Sequence, residues 1–526
     1  MNLKLPILFL ALCAIFAVGQ SSLTIPKFIN ETSSAGISSR FDGDWEYMVG
    51  GGTAVFDCDN DGYPEIYTAG GTNPATLYRN LSRRGGALRF SRISSGLELT
   101  AVTGAYPLDV NADGISDLMV LRVGSNVLFR GLGKCQFQNA NALWNFDGGD
   151  AWHTAFAATW EKGARLPTLA VGAYIDRAQT DYPWGSCTNN WLVRPDSSGK
   201  YAAPLVLKPS YCALSMLFSD WNRSGQPSLR VSNDREYYKG GMEQLWQISS
   251  QPRLYTEDDG WRRLQIWGMG IASYDLSGDG YPEYFLSSMA DHKLQALAKD
   301  ASRPQYADIA FRRGVTVHRP YIGDTTHPST GWHVQFDDVN NDGLTDLFVA
   351  KGNVAMMPDF AMLDPNNLLL QQPDGNFLEV GAQAGVASGK RGRGAMLADF
   401  NLDGWLDLVV INRWDSAEMW RNSGTGSSAN WLQVQLQQSG GNRNAIGSWL
   451  EVKTENGAVQ RRELTIGGGH VSGHLGWIHF GLGNSATASL RIQYPDGIWS
   501  DWQTVSSNHF YKLERGKLAQ IWNPAR

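Results

Sequence analysis

Charge is scarce in this sequence, cysteine is scarcer, and long apolar runs are confined to one place. Of its 526 residues 18% are charged, and 45 Lys and Arg stand against 51 Asp and Glu for a formal net charge of -6. No basic stripe is available to neutralise a phosphate backbone, so nucleic acid is not an expected partner. The one basic cluster, GKRGRG at Gly389–Gly394, is short and reads as a solvated turn. After the N-terminal segment no stretch is apolar for long enough to span a bilayer. The sequence also has no HExxH, no nucleophile elbow and no phosphate-binding loop, so no catalytic motif announces an enzyme.

Glycine, by contrast, is abundant at 58 residues. Together with the low charge this suits many short strands and tight turns, and the expected class is all-β. The opening MNLKLPILFLALCAIFAVGQ, with an apolar run from Leu5 to Val18 and small residues at Ala17 and Gly19, reads as a secretory signal over residues 1–19. Cys13 offers a lipoprotein alternative, which Leu12 before it disfavours.

The acids are concentrated. In DCDNDGYPE, Asp57, Asp59, Asp61 and Glu65 crowd one turn with Gly62 after the third. Like charge at this spacing is unfavourable unless compensated, and a hard divalent cation held by oxygen is the usual compensation. Positions 1, 3 and 5 then supply side-chain oxygens, the backbone carbonyl of Tyr63 serves at position 7, and Glu65 closes the shell at position 9. An EF-hand closes at position 12 on a helix, whereas EIYTAGG reads as a strand. The pattern recurs as Asp109, Asn111, Asp113, Ile115 and Asp117; as Asp275, Ser277, Asp279, Tyr281 and Glu283; as Asp338, Asn340, Asp342, Leu344 and Asp346; and as Asp399, Asn401, Asp403, Trp405 and Asp407. What persists is ligand capacity, as calcium binding at about five sites requires. Without Cys or His, the set argues against zinc or copper. The first loop has four carboxylates against three elsewhere, so the tightest site is expected there.

Neighbouring loops recur roughly every 50–60 residues, and a period of that size marks a repeated supersecondary unit. The wide interval between Asp109 and Asp275 holds two worn copies, from Thr159 and from Asp220, bringing the count to seven. Each unit has a strand before its loop, a strand after it and then a strand pair, which describes a blade of a seven-bladed β-propeller. IPKFINETSSAGI near the N-terminus resembles the segment that ends unit six, and is expected to complete the last blade and remove an open edge. The four cysteines outside the signal allow two disulfides in three connectivities, with four free thiols as the alternative. Cys187 with Cys212 and Cys58 with Cys135 are expected. The first staples an insertion, and the second joins a metal loop to a hairpin of the next blade on the same face.

The loops and strands resemble FG-GAP or VCBS repeats. NAIG, GGG, HFGLG and YPDG, in that order, make the C-terminal part similar to the ASPIC and UnbV domain that follows such propellers in the cartilage acidic protein-like family. The resemblance implies a calcium-binding propeller at 20–422, a Gly and Ser linker at 423–430 and a small β-sandwich-like domain at 431–526. The expected function is a secreted or periplasmic binding or adhesion module for a protein or glycan. The alternative is a carbohydrate-active lyase or isomerase using the propeller mouth, where His318, His327 and His333 in one connection, with His153 and His292 in others, could converge. A deep mouth favours the enzyme and a flat or water-filled one the binder.

Overall fold

The computed structural model describes residues 24–179, 186–235, 240–298, 301–426 and 428–524, so the expected signal segment and Cys13 lie outside the described residues. The described helices are single turns of three or four residues. Everything else that is regular is strand.

From Thr53 to Asn422 the chain forms seven successive antiparallel sheets, the second and third joined through Ala151–Trp152 and Val123–Gly124 into one of eight strands, and each begins with a largely buried strand. The first sheet runs Thr53–Phe56, Glu65–Thr68, Thr76–Asn80 and Phe90–Ile93. The first strands of the following sheets are Val102–Leu108, Ala151–Thr159, Ala213–Ser219, Gly268–Tyr274, Gly331–Asp337 and Arg391–Ala398. Each lies beside the next, and the seventh also lies beside the first. Their sequences are rich in Gly, Ala and Ser because they pack closely, while larger apolar residues fill the spaces between sheets. Phe285, Val334, Phe336, Val349 and Leu369 do so between the fifth and sixth. All first strands but that of the opening sheet carry a register shift near their start, a bulge that kinks the strand and re-aims its side chains.

The seventh sheet takes its fourth strand from the other end of the chain. Phe28–Asn30 pairs with Glu418–Asn422, Phe28 opposite Asn422 and Asn30 opposite Trp420, as the resemblance of the N-terminal segment to a closing strand predicts. Both expected disulfides are present, Cys58 with Cys135 and Cys187 with Cys212. The basic GKRGRG segment is not a solvated turn. It opens the seventh sheet, and Arg393 is fully buried over the Trp332 ring at 4.0 Å, its donors satisfied by the carbonyls of Met48, Gly392, Asn353 and Val354.

The C-terminal unit consists of two four-stranded sheets around a core that includes Leu432, Val434, Leu450, Val452, Phe480 and Leu490. It is not an appended tail. Between its strands Val459–Glu463 and Ile478–Gly483, the chain leaves the unit and threads the space between the seven first strands. Ile466 bridges to Ala158, Gly467 to Leu217, Gly469 to Ile271 and Ser472 to Ala105, while Gly473–Leu475 adds a parallel strand beside Ala54–Phe56. His470 N–H donates to Nδ1 of His333 in the sixth sheet at 3.2 Å, and Ser472 lies against Gly394 in the seventh. Glycine is required where this segment passes. A Cβ at Gly52 would sit 1.8 Å, and one at Gly104 2.2 Å, from the carbonyl oxygen of Val471.

Candidate metal centres

Every acidic loop joins the first and second strands of its sheet, so its ends are held at the strand spacing. Within it two residues adopt left-handed backbone: in the first loop Asn60 at φ 62° and Gly62 at φ 87°, with the same pair recurring at Ala112 and Gly114, Gly278 and Gly280, Asn341 and Gly343, and Leu402 and Gly404. This double reversal turns N–H groups inward. The glycine N–H donates to the first Asp in all five loops, at 2.8 Å on Asp57, 2.9 Å on Asp109, 3.0 Å on Asp275, 2.7 Å on Asp338 and 2.8 Å on Asp399. The next N–H, of Tyr63, Ile115, Tyr281, Leu344 or Trp405, donates to the Asp at position 5, that is Asp61, Asp113, Asp279, Asp342 or Asp403. The position-9 acid braces the loop from behind. Asp117 accepts from Val110 N and Gly131 N, both at 2.8 Å, and Glu65, Asp346 and Asp407 bridge equivalent backbone groups. Glu283 holds Leu276 N at 2.8 Å.

The loops retain oxygens with no donor. Asp59, Asp109, Asp275 and Asn401 each leave a buried Oδ1 without a hydrogen bond, and in the first loop Asp57, Asp59 and Asp61 bring one oxygen each within 4.8 Å of one another. Burial, reinforced by the neighbouring acids, pushes Asp57 up to about 6, Glu283 to about 7 and Asp117 to about 8. It holds Glu65, Asp338, Asp346, Asp399 and Asp407 well above the usual carboxylate range. Buried acceptors that lack donors and resist ionisation are satisfied by a cation, and an all-oxygen set suits a hard one such as calcium. The chain therefore fits the ion that the motif implies, with Asn111, Ser277 and Asn340 at the remaining third positions. The worn loop from Asp220 keeps the shape, with Arg223 at φ 58°, Gly225 at φ 80° and Gly225 N–H on Asp220 at 2.8 Å, but has Ser224 at position 5.

Two sets of residues escaped the sequence reading. Asn80 and Asn422 end third strands and carry their side chains to the neighbouring sheet, Asn80 to Phe400 O and Asn422 to Val339 O, both at 2.9 Å. Before them, Arg79 pairs with Asp59 at 2.6 Å, and the matching Arg130 pairs with Asp113 at 3.2 Å. The recurrence of YRN, FRG and WRN was the available signal. Arg79 offsets the extra carboxylate of the first loop, so its four acids no longer single it out as the tightest site.

The histidines do not gather at a mouth. His153, His292 and His333 lie in the interior, where burial pushes them down to about 4, 3 and 3. His333 belongs to the sixth first strand, not to the preceding loop. His318 and His327 are on the surface, paired with Asp291 and Asp324 respectively. A cavity of about 140 Å³ beside the central segment has His333, His474, His479, Asp337 and Glu463 among its lining residues.

Family comparisons divide the chain in the same way. A model described as ASPIC and UnbV matches residues 438–520, and one described as FG-GAP-like repeat matches 57–120 and 338–410, intervals that contain the loops from Asp57, Asp109, Asp338 and Asp399. The chain carries FG-GAP-like repeats and an ASPIC and UnbV domain. Cartilage acidic protein 1 of Mus musculus and of Homo sapiens are each 25% identical to it over 234 residues, 44% of this chain. The match spans about a third of the length of these relatives, 34% and 33%. Among solved structures, a lectin, BP39L from Burkholderia pseudomallei, aligns with a TM-score of 0.45 at 10% identity, over 71% of this chain and 96% of that one. BBS1N in complex with ARL6DN aligns with a TM-score of 0.42 at 10% identity, over 76% and 98%.

The ASPIC and UnbV domain sits on the FG-GAP loops themselves. Trp522 packs on Gly62, where a Cβ would lie 2.1 Å from its ring, and Trp477 Nε1 donates to Gly62 O at 3.0 Å. Trp431 packs on Gly404 in the same way. Gln433 Nε2 donates to Asp399 Oδ2 at 2.7 Å, and His479 Nε2 meets Asn341 Oδ1 at 2.7 Å. Arg461 reaches Asp275 at 3.3 Å and Gly278 O at 2.9 Å.

Proposed function

We propose that the protein is an exported, calcium-binding, seven-bladed β-propeller with a β-sandwich-like ASPIC and UnbV domain. In this reading it acts as an extracellular or periplasmic binding or adhesion module for a protein or a glycan. The propeller occupies about 20–422, the linker 423–430 and the domain 431–526. The cyclic order of the seven first strands supports the propeller, the shared acidic turn of five loops and the donor-deficient oxygens of four of them support about five calcium ions, and two disulfides support an oxidising compartment. No helix among the described residues is long and apolar enough to cross a membrane.

The observation that carries the choice of binder over enzyme is the central segment, Leu464–Leu475. It lies where a substrate would enter a propeller mouth, and the space beside it, about 140 Å³, is well below the ~300 Å³ at which small-molecule sites begin. A lyase or isomerase would need another site. The test is a glycan and protein-partner screen on the mature chain, with product analysis of every glycan that binds. Binding without turnover is expected. Release of a cleaved or isomerised sugar would overturn the reading.

A further inference from the structure

The contacts between the ASPIC and UnbV domain and the loops fall into two chemical kinds. On the loops from Asp57 and Asp399 the domain presents uncharged groups, as it does within the loop from Asp338, beside which Arg462 pairs with Asp337 at 3.1 Å. Indole rings rest on the bare backbone of Gly62 and Gly404, and His479 reaches Asn341. In addition, Gln433, itself buried, holds the Asp399 oxygen that the loop N–H of Gly404 also holds. Such contacts need the loop in one shape, because a shift of an ångström removes the flat glycine platform or the shared oxygen. On the other side the contacts include the protein's own charged groups, among them Glu463, which accepts from Asp220 N at 2.9 Å. Arg461 sits against Asp275. In the worn loop, which has Ser224 and Ser228 where the other repeats have acids, Arg223 stacks over Trp449 at 4.2 Å and donates to Gln493 at 2.6 Å.

We propose that the domain is a calcium-dependent latch on one side and a calcium-independent hinge on the other, with Gln433 as the positioning residue that links the ion at Asp399 to domain docking. The proposal rests on the calcium reading above. An ion on the free oxygens of the loop draws its acids together and fixes the Gly62 and Gly404 platforms. Without the ion the acids repel one another, the platforms move, and the side of the domain carrying Trp431, Trp477 and Trp522 lifts. Arg223 and Arg461 keep the opposite side attached. Linkage is reciprocal, so docking strengthens binding at Asp399 as binding there strengthens docking.

The test is hydrogen exchange on the full chain, in calcium and after chelation with EGTA, together with calcium stoichiometry by elemental analysis and titration. Peptides covering Trp431–Gln437 and Gly473–Gly483 are expected to exchange at least tenfold faster after chelation, and Trp449–Glu463 to change far less. Gln433→Leu, measured in calcium, is expected to weaken one site at least threefold, to spare the others, and to speed exchange of the same two peptides. This variant decides the matter if chelation unfolds the sheets as well. Calcium bound at about five sites with both peptides indifferent to EGTA, or a Gln433→Leu protein with unaltered exchange and affinity, overturns the latch and leaves the calcium reading standing. A protein that takes up no calcium overturns both.

Discussion

Single residues show how the loops balance charge. Asp59 is paired with Arg79, so Asp59→Asn removes one acid and frees one base, and this variant is expected to keep every calcium with a modest loss of affinity. Asp61→Ala removes an acid of the loop and also breaks the Tyr63 N–H contact that shapes the turn. It is expected to lose one calcium and to melt several degrees lower. Elemental analysis and thermal melts separate the two, and equal stoichiometry in both would show the first loop to be an acidic turn. Gly52→Ala tests the central segment, because its Cβ would overlap Val471 O. Overpacking of this kind costs about 1–3 kcal/mol, readable as a lower denaturant midpoint.

The buried imidazoles set an acid limit. His153 is pushed down to about 4 and His292, His333 and His470 to about 3 by burial, whereas an unfolded imidazole takes up its proton near 6.5. Between those values the unfolded chain binds more protons, so the stability these groups contribute is full above pH 6.5 and is lost as pH falls toward 3. In saturating calcium, unfolding free energy is expected to fall along that limb. His292→Gln should make the slope shallower, and an identical slope would contradict the assignment.

At the scale of the element, the sequence carried most of the loop and strand plan. Repeated acids at positions 1, 5 and 9 with a glycine at 6 specify a turn that only strands on either side can hold, and the N-terminal strand was legible because it repeats the segment closing unit six. The bracing Asn80 and Asn422 were harder to see, since their partners lie in neighbouring sheets and a single short RN carries little signal. The buried Arg393 misled because a run of bases and glycines looks solvated until four carbonyls and an indole are brought around it. The path of GGGH through the centre was not legible at all, because glycines mark close approach without saying what approaches. Deletion of Ile25–Ile37 should strip the fourth strand from the seventh sheet and leave Glu418–Asn422 as an open edge, which promotes edge-to-edge association. Light scattering on the deleted and intact chains checks this, with equal solubility as the contrary result.

The whole molecule behaves as one body more than the Gly and Ser linker suggests. In the sequence that linker, at 423–430, sets the two domains apart. The structure instead has that domain supplying a strand to the first sheet and backbone partners to the second, third, fourth and fifth. A chain ending at Asn422 is therefore expected to melt well below the full protein or to aggregate.

If the acidic loops hold calcium, the fold depends on it. The most direct test is calcium content of the purified mature chain, followed by thermal unfolding with and without EGTA. About five calcium ions per chain, and a melting temperature lowered by many degrees on chelation, is the predicted result. A chain free of calcium after dialysis against calcium, with a melting temperature indifferent to EGTA, would contradict it.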